Sequence, residues 1–375
     1  MKRFFAICIV AVTIWACSSD NVGDTPNEDD PEPVSFERGA MLVNWADNII
    51  IPSYIAFSTE MTGLQASFDA FKSEATGANL VVLRTSWLDA YKMWQRVSMF
   101  EIGPAETVGF RLNMNIYPAD FEKIDGFLTS GSYDLSLASN RDAKGFPALD
   151  YLFYGLGETD EEIIEMYNGS QNENVTTYVD AVLSDMVDLT TGVLAEWQAG
   201  YRDTFVENDG SSSTASVDRF INDYVYYYEK FLRAGKMGIP VGAFSETVLP
   251  QNVEAYYEGE VSNQLFLEGL DAVQDFFNGM HFGESTSGES LASYLNALNS
   301  VKDGDDLTGI INDQFDLARS SVVALAPFRE EIEDNVPPTA MLLAYDEVQR
   351  IVPLLKVDMV SAMSVSIDFV DADGD

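Results

Sequence analysis

Residues able to do metal or nucleophile chemistry are unevenly supplied in this 375-residue chain: it has one histidine, His281, two cysteines, and 61 Asp+Glu against 21 Lys+Arg. One imidazole cannot build a two-histidine zinc site, and the His-Glu-x-x-His helix of metalloproteases is absent. A Ser-His-Asp triad would have to use His281, in Met280-His281-Phe282-Gly283, yet no Gly-x-Ser-x-Gly elbow accompanies it. His281 therefore reads as a loop or helix-end residue. Carboxylates alone can hold hard cations, and two clusters invite that reading: Glu158, Asp160, Glu161, Glu162 and Glu165, and the tail Asp371, Asp373 and Asp375. The first looks like the acid-rich opening turn of a helix. The second contains DADGD, a calcium-loop fragment without its distal glutamate, and reads as a frayed terminus.

The formal net charge is −40. So strong a field repels phosphate backbones, which excludes nucleic acid as a partner and favours cations and basic surfaces. The hydrophobic share of 46% is that of an ordinary globular protein, so the acids form a solvated surface over a normal core.

The N-terminus carries an address. Lys2-Arg3, an apolar run from Phe4 to Trp15 and then Ala16-Cys17-Ser18 have the layout of an export signal too short to span a bilayer. Ile14-Trp15-Ala16-Cys17 resembles a bacterial lipoprotein box, in which Cys17 is lipidated and becomes the new terminus, so residues 1–17 are expected to be signal peptide. Cys8 leaves with it, and no disulfide remains within the mature chain. Ser18 in place of aspartate favours the outer membrane, on its periplasmic or cell-surface face. Residues 18–35, rich in Pro, Gly and acids, are expected to be a disordered tether.

Helices must position everything else. Leu80, Leu83, Trp87, Tyr91 and Trp94 recur at helical spacing, as do Val175 to Trp197, Val217 to Phe231, Phe266 to Phe277 and Leu342 to Met359. Such stripes bury against one another, so the expected fold is all-α, with two helical-bundle domains packed together. The polar stretch ENDGSSSTAS, residues 207–216, sets the expected linker between domains at 36–206 and 217–375. Pro52 and Pro353 fall inside helical patterns and should kink or end them. The tyrosine run 224–228 points around a whole helix, so some rings must lie at a boundary, against the other bundle or in a ligand cleft between bundles.

Four segments together resemble the imelysin family: KGFPALDYLFYG (144–155), LRTSWLDAYKMWQRVSMFEIGPAE (83–106), KMGIPVGAFSETVLPQNVEAYY (236–257) and LLKVDMVSAMSVSIDFVDADGD (354–375). The resemblance implies an exported protein with two helical bundles, linked to iron uptake and named for a peptidase activity. The family's signature Gly-x-His-x-x-Glu falls on Gly145, Pro147 and Asp150. A histidine and a glutamate three residues apart share a helix face and can hold one metal ion. Here proline stands where the histidine would, which removes a ligand and suits the first turn of a helix. Asp150 keeps a carboxylate with shorter reach, the candidate ligand for iron or another divalent cation. Arg84, Trp87 and Asp150 are the expected pocket wall. The reading is a lipid-anchored, non-catalytic binding protein whose partner is an iron species or iron carrier. The alternatives are a peptidase of the imelysin type, which lacks the imidazoles to hold a metal, and an acidic module for another cell-envelope protein.

Overall fold

The computed structural model describes residues 36–367 apart from residue 171; Cys17, the expected signal and tether, and the acidic tail lie outside the described residues. Helices dominate, as the periodicity requires. Among the described residues the only strands are Val301–Lys302 and Asp305–Asp306, an antiparallel pair. The long helices Ile51–Ser73 and Gly77–Val97 form a hairpin, and Asn172–Glu196 packs along the first of them. In the second half Ser262–Phe277, Leu307–Val323 and Thr339–Gln349 pack in the same manner.

Apolar stripes explain the packing. Leu80, Leu83, Trp87, Tyr91 and Trp94 are all buried, and so are Val175, Val179, Val182, Met186, Val193 and Trp197. From Phe36 onward the chain groups as one compact unit. Residues 207–214 are exposed, while the helices before and after them share one hydrophobic cluster. Trp45 of the first half, for example, meets Phe220 and Phe276 of the second at ring separations of 5.2 and 4.9 Å.

Among the described residues the helices are interrupted by five wide π turns: Trp45–Ile50, Tyr151–Gly155, Trp197–Tyr201, Tyr227–Gly238 and Leu354–Met359. Such turns are rare and gather at functional sites. Both prolines sit at them. Pro52 opens the helix that follows the first, and Pro353 ends the helix Ile351–Pro353 just before the last, where a missing N–H and ring crowding displace the backbone ladder. The Tyr227–Gly238 turn also turns the tyrosine run inward. Tyr224, Tyr227 and Tyr228 are buried, Tyr224 donating to the Val273 carbonyl at 3.0 Å and Tyr228 to that of Val348 at 2.8 Å, while Tyr226 is half-buried.

Candidate functional site

The Gly145–Asp150 segment forms one short helix, buried at every residue. Its glycine is required twice over. Gly145 has φ +77°, and a Cβ there would lie 2.2 Å from the Met114 carbonyl oxygen. Pro147 lies in the first turn, where its missing N–H breaks no helical bond. Phe146 between them stacks on Tyr91, with centroids 4.4 Å apart and planes 6° apart.

Asp150 ends the helix and points across to the second half. Its Oδ2 accepts the Tyr257 N–H at 2.8 Å and its Oδ1 the Glu258 N–H at 2.9 Å. Burial pushes its carboxyl up to about 7 and outweighs both N–H donors, which act in the opposite direction. The segment it holds is fastened again from behind. Glu254 is buried and receives Asn115 Nδ2 at 2.7 Å, Gln95 Nε2 at 3.3 Å and the buried Lys236 ammonium, while Tyr91 donates to Asn115 Oδ1 at 2.6 Å. Desolvation holds the Lys236 pKa below the ordinary lysine range. Two carboxylates, one from each half, thus fix residues 254–258.

That double fastening builds one wall of a cavity of about 490 Å³. Pro147, Asp150, Tyr117 and Phe121 line it from the first half, and Val253, Ala255, Tyr256 and Tyr257 from the second. Tyr257 rests against Tyr151 with centroids 4.9 Å apart. A larger cleft of about 550 Å³ holds His281 and Lys92, with Arg96 bridging to Glu268 at 3.0 Å and Asp275 at 2.7 Å. His281 lies in a loop there and shares a 3.1 Å hydrogen bond with Thr286.

The motif helix and the cavity therefore coincide, and comparison with known proteins identifies the family. The Imelysin (Peptidase_M75) family model matches residues 50–351. The chain belongs to the imelysin family. Iron-regulated protein A of Synechococcus elongatus is 27% identical over 117 residues, a match covering 31% of this chain and 32% of that protein, so it spans about a third of that relative. Among solved structures, a protein assigned as an iron-regulated protein A precursor from Parabacteroides distasonis superposes with a TM-score of 0.69 at 16% identity, covering 86% of this chain and 95% of that one. An imelysin-like protein from Psychrobacter arcticum gives 0.69 at 15% identity, covering 90% and 100%. These likenesses establish the all-α imelysin fold.

Measured against this imelysin's expected site, the geometry brings Pro147 and Asp150 to the cavity and leaves two residues out. Trp87 is wholly buried and donates to the Phe146 carbonyl at 3.3 Å, so it supports the motif helix from the core side. Arg84 is engaged by the Phe153 carbonyl at 2.8 and 3.0 Å, by Asp160 at 2.8 Å and by the Tyr154 ring at 4.3 Å, so it closes the π turn. Both were expected on the wall of a ligand cleft; neither is among the residues lining the cavity. The metal expected at Asp150 does not suit the donors present. Pro147 offers none, each Asp150 oxygen already accepts a backbone N–H, and among the described residues no three His, Cys, Asp or Glu side chains come together as a metal site. Asp160, Glu161 and Glu162 lie in the first turn of their own helix, which Thr159 caps by accepting the Glu162 N–H on Oγ1 at 3.2 Å.

Tyr117, Phe121, Lys236 and Glu254 were not singled out by sequence reasoning. Tyr117 and Phe121 carry no local pattern, and Lys236 and Glu254 signal only through the 236–257 segment that carries part of the family resemblance. No helix among the described residues is long and apolar enough to cross a membrane.

Proposed function

We propose that this imelysin is an exported, lipid-anchored binding protein of the cell envelope that serves iron acquisition by holding an organic iron carrier in the cavity beside Asp150, and that it does not cleave peptides. The observation that carries the reading is Asp150 itself. In a metallopeptidase a carboxylate at this position would need open oxygens and a neighbouring imidazole to hold a metal and activate its water. Here Pro147 stands in that neighbourhood and both oxygens organise the Tyr257–Glu258 backbone. What remains is a shaped cavity between the two halves, the setting in which proteins bind small molecules. The names of the relatives supply the link to iron, and the Ile14–Cys17 box supplies the anchor.

Calorimetric titration of the purified protein with ferric and ferrous iron, haem and ferric carrier complexes tests this. Ala119 also lines the cavity, and saturable binding of a carrier complex that is blocked by filling it with Ala119→Trp is the expected result. Tight stoichiometric binding of free metal that is lost in Asp150→Ala, or cleavage of a peptide library that stops on chelation, would replace the reading with a metal site or a peptidase.

A further inference from the structure

We propose that the cavity beside Asp150 selects an organic cation, a ligand with an apolar or aromatic body and an amine, quaternary ammonium or guanidinium group; this rests on the reading of that cavity as the ligand site. Four rings line it, those of Tyr117, Phe121, Tyr256 and Tyr257, and aromatic faces attract cations. The same loop already uses one of its rings in this way, since the Arg329 guanidinium sits over Tyr256 at 4.2 Å. Burial raises the phenol of Tyr257 to about 12 and that of Tyr117 well above its usual range, so both remain neutral hydroxyls.

Charge agrees with the rings. Asp120, Glu122, Asp142 and Asp150 line the cavity, and no Lys, Arg or His does. Lys123 offsets Asp142 and approaches Asp120 at 3.5 Å. Among the described residues no ion pair reaches Asp150 or Glu122, and the pull of Arg329 on Asp150 is weaker than that of either backbone N–H, so most of their field is directed at whatever enters. A bare metal ion would gain little, because it surrenders a tightly held water shell and finds no converging oxygens. A large organic cation spreads its charge and is weakly hydrated, so ring faces and a carboxylate held nearby can replace its water at low cost. Once ionised, above about pH 7, Asp150 supplies field without ligation, since its oxygens stay on the backbone N–H groups that shape the wall.

Three probes that share a benzyl body and differ in charge separate this inference from the reading beneath it: benzyltrimethylammonium, benzyl alcohol and benzylphosphonate, titrated calorimetrically into the full chain at moderate salt and about pH 8, above the Asp150 titration. The cation should bind one per chain and roughly tenfold or more tighter than the alcohol, a difference of the size cation–π contact and one unscreened carboxylate supply. Ala119→Trp should abolish that binding. Tyr257→Leu, which keeps an apolar wall and removes the ring, should weaken the cation by about tenfold and leave the alcohol unchanged. Binding of the alcohol or phosphonate as tightly as the cation overturns the charge preference and leaves the ligand cavity standing. Failure of all three, or cation binding that Ala119→Trp does not alter, overturns both.

Discussion

Asp150 and Asp223 both reach from one half of the molecule to the other, and burial pushes both carboxyls upward, yet their charges are compensated in different ways. Asp223 faces a cation. Arg111 approaches it at 3.2 Å, donates to the Ser98 carbonyl at 2.8 Å and lies over the Phe231 ring at 4.5 Å, while the Glu101 N–H reaches Asp223 Oδ2 at 3.1 Å. Glu101, itself raised to about 7 by burial, accepts the Arg111 N–H at 2.8 Å. Asp150 has the dipoles of two backbone N–H groups and a lesser pull from Arg329, with no ion pair among the described residues. The hollow of about 270 Å³ beside Asp223 is lined by Arg219, whereas the larger cavity beside Asp150 has no cation in its lining. Where the fold brings its own guanidinium, the carboxylate is consumed as structure. Where it brings amides and no ion pair, the charge, once the carboxyl ionises, stays available to a ligand.

Breaking the paired side should cost most. Arg111→Ala leaves the half-buried Asp223 and Glu101 without their cation, and since loss of one partner from a fully buried pair costs about 3–5 kcal/mol, denaturant unfolding should show a loss toward the lower end of that range. Gly145→Ala comes next. A side chain at φ +77° whose Cβ lies 2.2 Å from the Met114 carbonyl must shift the motif helix, at roughly 2–3 kcal/mol, with ligand binding falling along with stability.

Asp150→Asn sharpens the contrast through pH. The folded carboxyl titrates near 7 and the unfolded one near 3.8, so between those values the native state alone holds the proton, and this group's contribution to stability declines as pH rises. Asparagine has no such titration and turns a donor toward one of the two N–H groups. The stability gap between wild type and variant should therefore be widest near pH 4 and narrow toward pH 7, as read by melting temperature across that range; a gap that widens with pH would contradict the assignment. Smallest is Arg84→Ala, which removes a partly exposed ion pair and the hydrogen bonds to the Phe153 carbonyl. It should cost about 1 kcal/mol and leave ligand affinity unchanged, because Arg84 does not line the cavity.

Much of this architecture was legible before any coordinates. Helical spacing from Leu80 to Trp94 marks a face that is indeed buried, Pro52 and Pro353 mark the places where the helices change pitch, and the segment 144–155 marks the motif helix. Asp150 was legible as a special carboxylate, although its partners were not. Backbone N–H groups of Tyr257 and Glu258 leave no trace in residue type, so a carboxylate that shapes a loop looks in sequence like one that could hold a metal. Trp87 and Arg84 share the helix that crosses the motif, and spacing alone cannot tell the face behind it from the face toward the cavity. Tyr117, Phe121 and Tyr256 converge only in three dimensions, from segments more than a hundred residues apart.

The central claim is that the cavity beside Asp150 holds an organic ligand where a metal pair might have been expected. Native mass spectrometry of the protein purified without chelator or histidine tag, beside Asp150→Ala and Ala119→Trp, tests it most directly. The account predicts an organic mass bound one per chain in the wild type and absent from Ala119→Trp. A stoichiometric metal ion that disappears in Asp150→Ala would contradict it.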